Sequence, residues 1–180
     1  HFFDLMRLVS DSEAVSVYAS GAQDVNHLNE QYNGRKPDII DNAFVIVNFE
    51  NGIRSMLDLC MFSENSKLQE ELCAVGNVGK IETGVPSFLS GKSSSELSIG
   101  LRNLDNIKIE NIEVDETILK AGHHHGSTYY EHLEFQKAIT ENLRPQVSLD
   151  DGLKAVAIGQ AAELSIIKKR VVYMNEILED

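Results

Sequence analysis

The chain has only 2 cysteines and 16 lysines and arginines among its 180 residues. No apolar run is long enough to cross a bilayer. Each scarcity excludes something. Cys60 and Cys73 share no CxxC spacing and lie in apolar runs, so buried free thiols in a reducing compartment are expected. Against the 16 basic residues stand 28 Asp and Glu, giving a formal charge of −12 and a pI near 4.9. That balance argues against nucleic acid, whose phosphates want a basic face, and against anionic membranes. With no spanning segment and no signal peptide, a cytoplasmic protein is expected.

Nucleotide motifs are missing too. No G-x-G-x-x-G occurs. GNVGK at 76–80 and GKSS at 91–94 are glycine-rich, but a P-loop needs four residues between its first glycine and the GK pair. Where that glycine should precede Gly91 stands Pro86. Both pieces read as turns, so no cofactor-binding residue is expected in this chain. An initiator Met is also absent. HFFDLMRLV reads as helix from its first position, with Phe2, Leu5, Met6 and Val9 at helical spacing and nothing ahead to cap it. A preceding segment is therefore expected.

What is present reads as one α+β domain over residues 1–180, and a 42% hydrophobic content can fill its core. After the first helix, Val15, Val17 and Ala19 alternate with polar residues as in a strand. Residues 21–40, with Gly34 and Pro37, read as a long loop. NAFVIVNFE, Asn51-Gly52 and IRSMLDLCMF form a hairpin pattern with the residues of a type I′ turn. Further strands are expected at 71–75, around Ile81, at 97–101 and at 107–114, with a loop at 84–96. In the last strand Ile107 and Ile109 share one face and Ile112 and Val114 the other, which suggests a bulge near Asn111. Helices follow. Thr128 with Glu131 fits a capping box, and Ser148 with Asp151 opens a longer helix rich in small residues suited to packing on a sheet. The residues VVYMNEIL read as a final strand or tail. The short hairpins imply a mostly antiparallel, open-faced sheet covered on one side by helices.

Four of the 6 histidines fall in AGHHHGSTYYEHLEF, residues 121–135. Structural zinc wants four ligands and catalytic zinc usually three with an open position. His125 and His132 face the same way only if the helix starts before Gly126, and no cysteine is near in sequence. No metal site is expected. His1 and Asp4 lie one helical turn apart; they suit either a solvated pair or an imidazole base with a carboxylate beside it.

Three stretches together resemble one family. HFFDLMRLV resembles the segment H-x-x-D-x-x-R/H that begins at the catalytic His of the glucose-fructose oxidoreductase and inositol dehydrogenase family (Gfo/Idh/MocA). DNAFVIVNFENGIRSML resembles its central hairpin. GSTYYEHLEFQKAI and RPQVSLDDGLKAVAIGQAAELSIIKKRVVYMNEI resemble its C-terminal helix pair, with the P-x-V-x-x-x-D-G turn between. The resemblance implies a two-domain parent whose Rossmann domain, absent from this chain, binds NAD or NADP and supplies a Lys near the nicotinamide. This chain would be the substrate-binding and oligomerisation domain, inactive alone. The implied reaction oxidises a secondary alcohol of a sugar or inositol-type polyol. His1 would be the catalytic base, taking the hydroxyl proton while hydride leaves for the nicotinamide. Asp4, His124, His125 and Tyr129 are the implied substrate contacts, although Tyr129 equally fits core packing at helical spacing. An Asp four residues before the catalytic His, usual in the family, would precede the chain. The partners implied are the small-molecule substrate and further copies of the chain through the sheet, with neither nucleic acid nor membrane. The alternative is a non-catalytic assembly or ligand-binding module that shares the fold.

Overall fold

A computed structural model describes residues 1–87, 94–121 and 124–179. In chain order the elements are α1 (Phe2–Ser10), β1 (Ala14–Ala22), β2 (Asn42–Phe49), β3 (Arg54–Cys60), β4 (Leu68–Val75), β5 (Gly79–Pro86), β6 (Ser94–Leu101), β7 (Ile107–Glu113), α2 (Glu116–Ala121), α3 (Ser127–Thr140), α4 (Leu149–Lys168), β8 (Val172–Tyr173) and α5 (Asn175–Leu178). A 3₁₀ turn at His124–Gly126 precedes α3. Among the described residues every strand pairing is antiparallel, and the class is α+β as expected. Among the described residues no helix is long and apolar enough to cross a membrane. The chain divides into two compact units: His1–Ser63 with the chain from Val147 onward, and Glu64–Gln146.

The first unit is a sheet ordered β3-β2-β1-β8. One face is covered by helix. Val17 and Ala19 of β1, Val45, Val47 and Phe49 of β2, and Val172 pack with Ala157, Ile158, Ala161 and Ala162 of α4. The alanines let the 20-residue α4 lie close to the strands, as its composition predicts. Ser165 fastens the contact. Its Oγ accepts the Ala19 N–H at 2.9 Å and donates to the Arg170 carbonyl at 2.6 Å. The opposite face is open, with Tyr18, Phe44, Ile46 and Met56 exposed.

The β2–β3 connection departs from the two-residue type I′ expectation. Phe49 N–H donates to the Ile53 carbonyl at 3.0 Å, so the loop has three residues, Glu50, Asn51 and Gly52. Gly52 N–H closes a turn onto the Phe49 carbonyl at 3.0 Å, and Gly52 alone takes a positive φ, 84°. That is a type I turn followed by a left-handed glycine. The Asn51 amide is spent elsewhere, donating to the Ser10 carbonyl at 2.8 Å.

The first helix keeps its expected apolar stripe partly inward except at Val9, and adds a buried cation. Phe2, Leu5 and Met6 of that stripe are half-buried, as are Phe3 and Asp4, and Arg7 and Ser10 are buried, whereas Leu8 and Val9 are exposed. The cation, Arg7, lies outside that stripe and is one of the two buried residues of the helix.

The second unit is a meander ordered β4-β5-β6-β7. The 84–96 loop is shorter than expected: β5 continues to Pro86 and β6 starts at Ser94. Residues 91–93 of the GKSS stretch lie outside the described residues. There is no bulge at Asn111. The register runs unbroken from Ser94 opposite Glu113 to Gly100 opposite Ile107, so Ile112 simply faces the other side. The capping box expected from Thr128 and Glu131 is also absent. The helix starts two residues earlier, after Gly126, with no side-chain cap. Gly126 has φ 91°, and a Cβ there would stand 2.9 Å from Ile118 Cγ2, so glycine is required twice over.

Cys60 and Cys73 are exposed, against expectation. Both occupy outward positions of strands whose burial alternates residue by residue. The apolar runs around them mark the neighbouring, inward residues.

Candidate functional site

His1 is the N-cap residue of α1, and its carbonyl accepts the Leu5 N–H at 2.9 Å. Its imidazole stands at the exposed end of the helix. Asp4, one turn on, is tied to Arg7: Nη1 donates to Asp4 Oδ1 at 2.8 Å.

Arg7 is the centre of a larger cluster. Nε and Nη2 donate to the two Glu13 carboxylate oxygens, both at 2.9 Å, in the fork geometry that suits guanidinium and carboxylate. Nη2 also reaches Asp151 Oδ1 at 3.2 Å, and Nη1 the Asp151 carbonyl at 3.3 Å. Lys154 joins through Glu13 at 3.1 Å and Asp150 at 3.0 Å. Asp151 in turn caps α4. Its Oδ2 accepts from Ser148 N–H at 2.8 Å and Ser148 Oγ at 2.6 Å, the reciprocal capping box expected from the sequence. The hydrogen bonds from Ser148, then that from Arg7, hold the Asp151 carboxyl well below the ordinary carboxylate range. The hydrogen bonds from Arg7 likewise lower Glu13, against the opposing effect of burial.

Arg7 and Asp151 belong to the two motifs quoted above, HFFDLMR and PQVSLDDG, which lie far apart in sequence and meet here. Sequence reasoning treated Asp151 as a cap and gave Arg7, Glu13 and Lys154 no role. The available signal was Arg7 at helical spacing from Asp4 on the buried stripe.

The second unit holds the other candidates. His124, His125 and Gly126 all take positive φ, at 54°, 54° and 91°. Left-handed backbone is costly for a residue with a Cβ, so the two histidines are held in a tight, uncommon turn. His124 Nδ1 lies 3.6 Å from Glu70 Oε1, and its carbonyl accepts Ser127 Oγ–H at 2.9 Å. His125 is half-buried; its Nε2 is shielded and has no hydrogen-bond partner among the described residues. Tyr129 meets Tyr130 edge to face, with ring centroids 6.0 Å apart, and remains partly exposed. His123 lies outside the described residues. Among the described residues no three His, Cys, Asp or Glu side chains converge as metal ligands would.

A family model described as the oxidoreductase family, C-terminal alpha/beta domain (Gfo/Idh/MocA), matches residues 1–174. The chain belongs to that family. No curated protein sequence matches this Gfo/Idh/MocA chain. Solved structures share its fold. An oxidoreductase from Agrobacterium radiobacter, in complex with NAD+, L-tartaric acid and magnesium, superposes with a TM-score of 0.73 at 18% identity. That match covers 99% of this chain and 48% of the other. A levoglucosan dehydrogenase in complex with NADH and levoglucosan gives 0.68 at 18% identity, covering 97% and 48%. An aldose-aldose oxidoreductase from Caulobacter crescentus, complexed with glycerol, gives 0.65 at 17% identity, covering 94% and 44%. The Gfo/Idh/MocA chain thus spans about half the length of these structures.

Proposed function

We propose that this chain is the substrate-binding domain of a nicotinamide-dependent oxidoreductase that oxidises a secondary alcohol of a sugar or cyclic polyol. The observation that carries the reading is the family match across residues 1–174. The fold-mates bound to levoglucosan and glycerol support a polyhydroxylated substrate.

Gly76 N–H donates to the Gly79 carbonyl at 2.8 Å, so that glycine pair closes a strand-to-strand turn rather than a strand-to-helix phosphate loop. NAD or NADP is assigned to a separate domain of the parent. Oxidising an alcohol removes a proton from oxygen and a hydride from carbon. This chain offers an imidazole for the first. The second falls to the nicotinamide held elsewhere.

His1 is the proposed base. Asp4, His124, His125 and Tyr129 are the proposed contacts for substrate hydroxyls. A polyol needs groups that both donate and accept, and histidine and tyrosine do both. The test is a substrate panel on the full-length parent. With NAD+ or NADP+ present, cyclic polyols and aldoses should drive nicotinamide reduction, seen by absorbance. No reduction with any of them would overturn the reading in favour of a non-catalytic module.

The open face of the first sheet is the proposed oligomer contact. Tyr18, Ile46 and Met56 are neighbours across three strands and all exposed. Light scattering should show an oligomer that Ile46→Lys reduces to monomer. A monomeric parent would sink this assignment.

A further inference from the structure

We infer that Arg7 is a positioning residue for His1, acting by fastening α1 to the N-terminus of α4. The inference rests on the reading of His1 as the base. A nine-residue helix is too short to hold itself together, and this one begins without a side-chain cap. Whatever fixes its first turn is tertiary. One contact is apolar: the Phe3 ring lies against Gly159 of α4, close enough that an added Cβ would touch it at 3.6 Å. The other is Arg7. Its five N–H donors find five acceptors, on Asp4, Glu13 and Asp151.

The connection then runs without a gap to the core. Asp151 is locked to Ser148 at the start of α4. Further along the same helix Ser165 is bonded to β1. His1 is tied to the α1 frame by its own carbonyl. A shift of α1 against α4 therefore moves His1, and a displacement of about 1 Å at a reacting group can cost roughly 100-fold in rate. Lysine cannot replace the arginine. A single ammonium cannot grip both Glu13 oxygens and still reach Asp4 and Asp151.

The test uses the full-length parent and a substrate deuterated at the reacting carbon. Arg7→Lys and Glu13→Gln should each lower kcat per folded enzyme by about 10- to 100-fold, with substrate and cofactor KM nearly unchanged. The primary deuterium isotope effect on kcat should rise as the chemical step becomes limiting. A merely structural role would lower the folded fraction, read by circular dichroism, and leave the isotope effect where it was. Normal kcat and an unchanged isotope effect in both variants would overturn the inference. His1→Ala is the control that separates the failures. If it abolishes turnover while Arg7→Lys is normal, only the positioning role falls. If His1→Ala is itself active, the base assignment falls and the positioning role with it.

Discussion

His1→Ala in the full-length parent is expected to lower kcat by about 10²- to 10⁴-fold while leaving nucleotide affinity intact. A positioned imidazole takes the hydroxyl proton as the alcohol becomes a carbonyl. Without it water must serve, and water is a far weaker base at neutral pH. The loss belongs to the chemical step, so KM for the alcohol should move much less than kcat. His1 is exposed at the start of α1, and substitutions at exposed positions usually cost little stability. Steady-state kinetics with calorimetric titration of the nucleotide separates the effects. Added imidazole should restore part of the rate. Turnover equal to that of the wild type would assign the base to another residue.

The elements were legible wherever periodicity and local turn chemistry decide them. Alternation gives β1 to β3, and the small residues of α4 announce a helix lying close to a sheet. Ser148 and Asp151 lie only three apart and specify each other. What escaped depends on partners remote in sequence. The α1 stripe held at Phe2, Leu5 and Met6, but the buried Arg7 beside it escaped, and its partner Asp151 lies 144 residues away. The turn at Asn51-Gly52 changed type because the Asn51 amide is drawn to the Ser10 carbonyl. The cysteines were misread because an apolar run hides its own alternation. At the candidate site, the sequence named His1 and Asp4 but could not show that Asp4 is tied to Arg7. In the 121–135 stretch it located His124 and His125 without their left-handed backbone, since only Gly126 signals such a turn by its identity.

Asp41 went unnoticed for the same reason, and its replacement should have the second large effect. The residue ends the long loop and is fully buried. Its Oδ1 accepts the Asp24 N–H at 2.9 Å and the Asn42 amide at 3.0 Å. Its Oδ2 accepts the Val25 and Asn26 N–H groups at 2.8 and 2.7 Å. Burial by itself would raise its pKa. The backbone donors of Asn26, Asp24 and Val25, with the Asn42 amide, outweigh burial and hold the carboxyl well below the ordinary range. Asp41→Asn puts an amide NH₂ where one of these oxygens receives N–H donors, so donor faces donor. The loop from 23 to 40 should then open, lowering Tm by roughly 5–10 °C. Trypsin should cut after Arg35 at least about tenfold faster, because the reciprocal Tyr32–Arg35 backbone bonds no longer have an anchored loop to hold them. The pH dependence has a definite sign. A carboxyl whose folded pKa is depressed stabilises fully above its unfolded value, about 3.9, and loses that contribution as pH falls toward the folded value. The Tm gap between wild type and Asp41→Asn should therefore be widest above about pH 5 and narrow in acid. A gap that stays constant into acid, or unchanged cleavage after Arg35, would show that the loop does not depend on this carboxylate.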